Sequence, residues 1–286
     1  LDSLLAQTHA NFELIINDDK SPDETEAVCR EYEKRDPRVR YCRNATNLRY
    51  AGNQNVAIER AKSDYVAIVH DGDIYRPDLI EQWVRALVDY PSAALVFSAM
   101  GGLDLQGKLR RIYRHPYGPL VPGRQLLDEM LQRPDSPIYG IVMVRKSCIQ
   151  SVGSFDTRMP TLADVDMWMR LLARYDAAYV AKPLFDGAAR EPDHHNAAGN
   201  WRVRTEYVLI FTLNFFRRFP QPSPEGDKVR QKLNVMFRGQ YVRQMAWCLW
   251  HLHLSKFWTG IRYHLRSPES IRWNCPIETD TVGGHR

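Results

Sequence analysis

Tyr65-Val66-Ala67-Ile68-Val69-His70-Asp71-Gly72-Asp73 is a short apolar run that stops at two carboxylates separated by one glycine. A buried strand ending this way delivers both acidic groups to the rim of a sheet. In open α/β sheets that rim, at the carboxyl ends of the strands, is where ligands bind. Hard divalent cations prefer oxygen ligands and commonly hold a substrate's phosphates against one or two carboxylates, so Asp71 and Asp73 suit a metal–diphosphate site. Asp-Gly is also a strong turn dipeptide, and taken alone the triplet reads first as a turn.

Working outward, helices and strands alternate on both sides. The pattern predicts a helix ending near residue 8, a strand over 12–17, a charged helix over 23–34, a strand over 39–43 and a helix over 53–61. After the Tyr65–Asp71 strand come an amphipathic helix over 77–89, with Leu79, Trp83 and Leu87 at helical spacing, and a strand over 93–99. Strand–helix alternation at this spacing implies an α/β fold with a parallel sheet covered on both faces. Residues 115–123, His-Pro-Tyr-Gly-Pro-Leu-Val-Pro-Gly, continue neither element and read as an exposed loop suited to gating or to acceptor contact.

A second acidic cluster follows a strand over 138–144 and a turn at Gly153-Ser154-Phe155-Asp156. It is Leu162-Ala163-Asp164-Val165-Asp166-Met167-Trp168. A helix beginning near Asp164 puts that carboxylate at its first turn, where unpaired N–H groups favour an anion. An N-capping aspartate satisfies the same pattern.

Composition bounds the class. The 286 residues are 44% apolar and 26% charged, ordinary for a globular protein with a real core. Five cysteines, at 29, 42, 148, 248 and 275, form no Cys-x-x-Cys pair, which argues against a zinc site or a disulfide framework and for a cytoplasmic setting. No stretch reaches the 18 or so apolar residues of a membrane helix. Residues 200–286 hold 14 Lys/Arg against 6 Asp/Glu and 14 of the 31 aromatics, as in Trp247-Cys248-Leu249-Trp250 and Lys256-Phe257-Trp258. Such a tail reads either as helices packing aromatics on the main domain or as a peripheral contact with an anionic inner-membrane surface. With no recognisable RNA or DNA module beside it, the basic excess does not indicate nucleic acid.

The motifs in order form a known pattern. Gln7-Thr8-His9-Ala10-Asn11-Phe12 through Asn17-Asp18-Asp19-Lys20-Ser21, then Tyr50-Ala51-Gly52-Asn53-Gln54-Asn55, Asp71-Gly72-Asp73, and Phe155-Asp156 with Asp164-Val165-Asp166-Met167-Trp168 resemble the family 2 glycosyltransferases of GT-A fold. The resemblance covers roughly residues 1–200. It implies a GT-A (Rossmann-like), mostly parallel sheet over 1–200, with a basic, aromatic-rich helical extension over 201–286.

The resemblance also implies roles. Asp19 matches the carboxylate that contacts the donor's base, typically uracil, and Arg49 lies where some members place an arginine near the nucleotide. Asp71 and Asp73 match the DxD motif, Asp73 as the direct metal ligand and Asp71 nearer the ribose or the metal. Asp164 matches the catalytic base, with Ala163 where the family has a glutamate. His194 or His195, His195 being the assignment made here, falls where many members complete the metal shell. The implied cofactor is Mn²⁺ or Mg²⁺, the implied donor a nucleotide-diphospho-sugar, and the acceptor a saccharide or lipid-linked hydroxyl. In such chemistry a metal neutralises the departing diphosphate while a carboxylate on the opposite side of the sugar deprotonates the acceptor, inverting the anomeric carbon.

One departure remains. The family's first strand, which precedes the helix read at residues 1–8, is absent from the sequence, so the expected sheet lacks an inner strand. A non-catalytic sugar- or nucleotide-binding relative and a sugar nucleotidyltransferase are the two other readings. The joint presence of Asp71, Asp73 and Asp164 argues against the first. The second would bring a Gly-rich phosphate loop, which the sequence does not show.

Overall fold

The computed structural model describes residues 1–133, 136–159, 161–188 and 201–250, with backbone alone for 201–205 and 240–250. The elements run α1 (Asp2–Leu5), β1 (Leu14–Asp18), α2 (Thr25–Arg35), β2 (Val39–Arg43), α3 (Arg49–Arg60), β3 (Tyr65–Ile68), β4 (Ile74–Tyr75), α4 (Leu79–Asp89) and β5 (Ala93–Leu103). They continue with β6 (Leu109–Tyr113), β7 (Leu120–Val121), α5 (Gly123–Gln132), β8 (Val142–Arg145), α6 (Lys146–Val152), α7 (Ala163–Leu172), β9 (Asp176–Gly187), α8 (Trp201–Arg218) and α9 (Pro224–Trp250).

Seven strands form one sheet in the order β3-β8-β5-β9-β4, with β6 on β5 and β7 on β9. The period-2 pattern of its strands decides which side chain meets which layer. Val142 and Val144 of β8, Leu95 and Phe97 of β5, and Ala177 and Tyr179 of β9 face one core, which α5, α7 and α8 fill with Leu126, Met130, Met167, Trp168, Ile210 and Phe215. Met143, Val96 and Ala178 face the other, against Leu79, Trp83 and Leu87 of α4. The helical spacing in α4 is thus its buried stripe. That helix stops at Asp89 because Tyr90 precedes Pro91 and is pushed out of the helical region.

The α/β expectation holds, with a difference in ladder direction. β1–β2 and the long β5–β9 ladder are parallel, whereas β3, β4, β6, β7 and β8 are added antiparallel, which makes the sheet mixed. Residues 115–123 also differ from a simple exposed loop. Leu120–Val121 pairs with β9, Val121 is buried, and Gly123 begins α5.

The pair β1–β2 shares no ladder with the large sheet among the described residues. Helix α3 ties it in: Asn53 and Asn17 bond each other's side chains and backbone, and the Lys62 N–H donates to Glu13 at 2.7 Å. The N-terminal segment is anchored separately. Gln7 donates to the Arg76 carbonyl (2.7 Å) and accepts from the Ile80 N–H (3.0 Å), one of the unsatisfied donors at the start of α4.

Helix α7 is buried on nearly every face, and α8 supplies part of its cover. Asp166, 1% exposed, accepts from Arg170 (2.7 Å) and, across to α8, from Arg217 (3.0 Å) and Asn214 (3.1 Å). Arg170 also donates to the carbonyls of Val152, Gly153 and Ser154, fixing the turn before α7. Removing one partner of a buried charge network leaves the other uncompensated. Asp166→Ala is therefore expected to cost about 3–5 kcal/mol in urea unfolding. A midpoint equal to wild type would show the network carries nothing.

In the described residues no helix is long and apolar enough to cross a membrane. Residues 251–286, including Lys256-Phe257-Trp258, lie outside them, as do the side chains of Trp247 and Trp250.

Candidate active site

β3 leaves its ladder at Ile68, three residues before the expected end, and Val69-His70 lead into the turn at Asp71-Gly72. Gly72 has φ +81°, a left-handed conformation that glycine takes without penalty. Tyr75, buried in β4, straps this corner: its hydroxyl accepts from the His70 N–H (2.8 Å) and donates to the His70 carbonyl (2.7 Å). Both the turn reading and the site reading of Asp71-Gly72-Asp73 are therefore compatible with the local fold. Asp71 is exposed and Asp73 half-buried, with Asp73 Oδ1 accepting the Ala188 N–H at 3.0 Å, just past the end of β9.

Asp164 stands in the first turn of α7, one residue after its start, as the sequence predicts. Its Oδ1 accepts the Val165 N–H at 2.8 Å. Protein atoms crowd the carboxyl on most sides while part of it keeps solvent contact. Burial raises its pKa to about 6, opposed by the backbone hydrogen bonds of Val165 and its own N–H. A carboxylate poised there can accept a proton near neutral pH. Ala163, beside it, is fully buried. The nearby N–H groups of Thr161 and Leu162 are instead met by Glu206 of α8, whose Oε2 accepts both, at 2.8 and 3.0 Å.

Asp164 and His70, the residue before Asp71, meet over one glycine. Gly140, with φ +79°, passes so close that a Cβ there would lie 3.0 Å from His70 Cε1 and 3.1 Å from Asp164 Oδ2. Tyr50 of α3 approaches from another side, its ring edge-on to His70 (6.3 Å) and to Phe155 (6.2 Å). Its buried hydroxyl has no hydrogen-bond partner among the described residues, and burial, together with the charge of Asp164, raises its pKa. Asn55, one turn and a half further along α3, exchanges two hydrogen bonds with the Phe155 backbone (2.8 and 2.9 Å). Tyr50, Asn55, His70, Phe155 and Asp164, from separated parts of the chain, are thus one physical cluster.

Asp19 sits at the end of β1 on the other flank of α3. Its Oδ1 accepts from the Leu48 N–H (2.7 Å) and from Asn44 Nδ2 (3.0 Å). Asp18, its neighbour, points into the core: burial would raise its pKa, but the Tyr41 hydroxyl (2.6 Å), Ser21 and Arg43 outweigh that and hold it below the usual carboxylate value. Arg49 is exposed at the first residue of α3, with φ 60°. Asp19 and Arg49 therefore share the entrance of α3, and the Tyr50 turn connects them to the Asp164 side. His194 and His195 lie outside the described residues, and among those that are described no group of three or more His, Cys, Asp or Glu is placed to hold a metal. The donor chemistry of Asp71 and Asp73 still fits a hard divalent cation, whose remaining positions are commonly filled by phosphate and water.

In the sequence His70 and Tyr50 stand within or beside the motifs without a role, and nothing local marks Gly140, Tyr75 or Glu206. Only His70, adjacent to Asp71, carried a local signal.

The fold and this cluster are those of an α/β protein with carboxylates gathered near its strand ends, and comparison with known proteins names the family. The sequence model of the family described as Glycosyl transferase family 2 matches residues 1–152, and the chain belongs to that family. It is 27% identical over 175 residues to a Bacillus subtilis (strain 168) protein named "Putative glycosyltransferase EpsE", covering 59% of each chain. It is 34% identical over 193 residues to the uncharacterized protein y4gI of Sinorhizobium fredii, covering 66% of this chain and 20% of that one. The chain thus spans well under two thirds of the length of these relatives. Among solved structures, S. aureus TarS 1-349 in complex with UDP-GlcNAc superposes with a TM-score of 0.61 at 17% identity, covering 84% of this chain and 67% of that one. The GT-A expectation for the fold holds.

Proposed function

We propose that this chain transfers a sugar, with inversion, from a nucleotide diphosphate donor to a saccharide or lipid-linked hydroxyl. The observation that carries the reading is the meeting of Asp164 with His70, the residue before Asp71-Gly72-Asp73, over Gly140. A carboxylate of raised pKa thus packs near the strand end that leads into the acidic turn, which supports the reading. Asp164 is the general base for the acceptor hydroxyl. Asp71 and Asp73 would hold Mn²⁺ or Mg²⁺, which when bound supplies charge neutralisation for the leaving diphosphate. Asp19, fixed by Leu48 and Asn44, offers its second carboxylate oxygen to a base N–H, and Arg49 offers a guanidinium to the nucleotide. A uridine donor is favoured by TarS, whose solved complexes contain UDP-GlcNAc and UDP.

The test is a panel of nucleotide sugars with Mn²⁺, read for nucleoside diphosphate and for pyrophosphate. Release of the diphosphate, strongest with one uridine donor, is the expected outcome. Pyrophosphate release would make the chain a nucleotidyltransferase, and no release with any donor would leave a binding protein.

A further inference from the structure

A column of aromatic rings rises from the core beside the proposed base. Phe97 of β5 and Tyr179 of β9 form its root, with centroids 5.0 Å apart. The Tyr179 hydroxyl accepts the His115 N–H at 2.9 Å. His115 stacks on Tyr117 (5.3 Å, 20° between planes) and on Tyr139 (6.1 Å, 27°), and Tyr139 lies 6.0 Å from Tyr113. Tyr117 is held in turn by its hydrogen bond to Glu129 (2.8 Å). Burial lowers the pKa of His115, which favours its neutral imidazole.

The column ends in solvent. Tyr139 is 42% and Tyr113 37% exposed, while Tyr179 and Phe97 are buried. Tyr139 immediately precedes Gly140, the residue packed against Asp164 Oδ2. Room for Tyr113 is made on β5 by Gly102, where a Cβ would stand 2.8 Å from the ring. Two exposed rings, locked from beneath and, through Tyr139, one residue from the glycine that packs on Asp164, form a surface whose geometry is set before anything binds. Pyranose rings carry a C–H face that packs on aromatic faces and a hydroxyl rim that needs water or polar groups. Tyrosine, with an apolar body and a polar tip, meets both demands. Preorganisation of this kind places a reacting hydroxyl without ordering a loop.

We propose that Tyr139, seated on His115 and flanked by Tyr113, is the platform on which the acceptor's sugar ring stacks, presenting its hydroxyl to Asp164. The assignment to the acceptor rests on the reading above. In a single displacement the base and the leaving diphosphate lie on opposite sides of the transferred sugar, so what adjoins Asp164 is acceptor.

The experiment uses the full chain and a set of methyl pyranosides (gluco, galacto and 2-acetamido-2-deoxygluco) as probes, with saturation-transfer NMR from aromatic protons and UDP titration in parallel. Wild type and Tyr139→Phe should pass saturation to the C–H face of at least one pyranoside. Tyr139→Ala should bind it about fivefold to tenfold more weakly with unchanged UDP affinity and unchanged far-UV circular dichroism. Equal pyranoside binding in Tyr139→Ala, or no saturation transfer in wild type, overturns the platform. Loss of UDP binding in wild type strikes at the nucleotide-sugar reading instead, and leaves the stacking result to be judged by itself.

Discussion

Asp164→Asn is expected to lower kcat about 10³- to 10⁴-fold while donor affinity stays within about twofold, because a general base contributes roughly that much and does not touch the nucleotide. Asparagine keeps the shape and can still accept the Val165 N–H. Only the proton-accepting charge is lost. In the wild-type protein the same group shapes the pH profile: with its pKa near 6, kcat/KM should rise with pH through about 6 and level off above it. Stability moves the other way. The carboxyl is raised from 3.8 in the unfolded chain to about 6 in the fold, so between those values the native state holds a proton that the unfolded state has released, and stability declines as pH rises through that window. Asp164→Asn should escape the decline and be more stable than wild type at pH 8 by on the order of 1–2 kcal/mol in urea melts. Near-normal turnover in this variant would remove Asp164 as the base.

The second large effect is at Asp73. Asp73→Asn is expected to lower kcat/KM about 10²- to 10³-fold at fixed Mn²⁺, since a metal that neutralises a leaving diphosphate supplies several kcal/mol. Asparagine can still accept the Ala188 N–H that Asp73 Oδ1 holds at 3.0 Å, so the β9 end stays in place and the change reports on charge. Chelation of wild-type protein with EDTA should produce a comparable loss, reversed by Mn²⁺, and the variant should need much more Mn²⁺ for half-maximal rate. A variant with an unchanged Mn²⁺ response would show that Asp73 holds the turn and not the ion.

How far the sequence reveals this arrangement depends on how local each cause is. β2 matches its expected span and α4 nearly does, because alternation and the Leu79–Trp83–Leu87 stripe are properties of a few adjacent residues. Asp71, Asp73 and Asp164 are readable for the same reason, each standing where an element begins or ends. Helix α3 starts four residues before its expected beginning, at Arg49 with its positive φ, a conformation no nearby residue signals. β5 runs through Gly101 and Gly102 to Leu103 and turns back as β6, although paired glycines usually weaken a strand. Gly140 and Glu206 were invisible in principle. Their importance lies in what packs beside them from distant parts of the chain.

Glu206 has a consequence beyond capping. Two N–H groups at the head of α7 depend on a carboxylate some forty residues downstream, and Asp166, two residues past the base, depends on Asn214 and Arg217 of the same helix. Should α8 lift from the sheet, the head of α7 would lose its acceptor and Asp166 two of its donors, with β3 and the acidic turn untouched. Under the proposed roles, chemistry is expected to fail when α8 loosens while the Asp19 side of the site persists, so heat inactivation should precede loss of donor affinity.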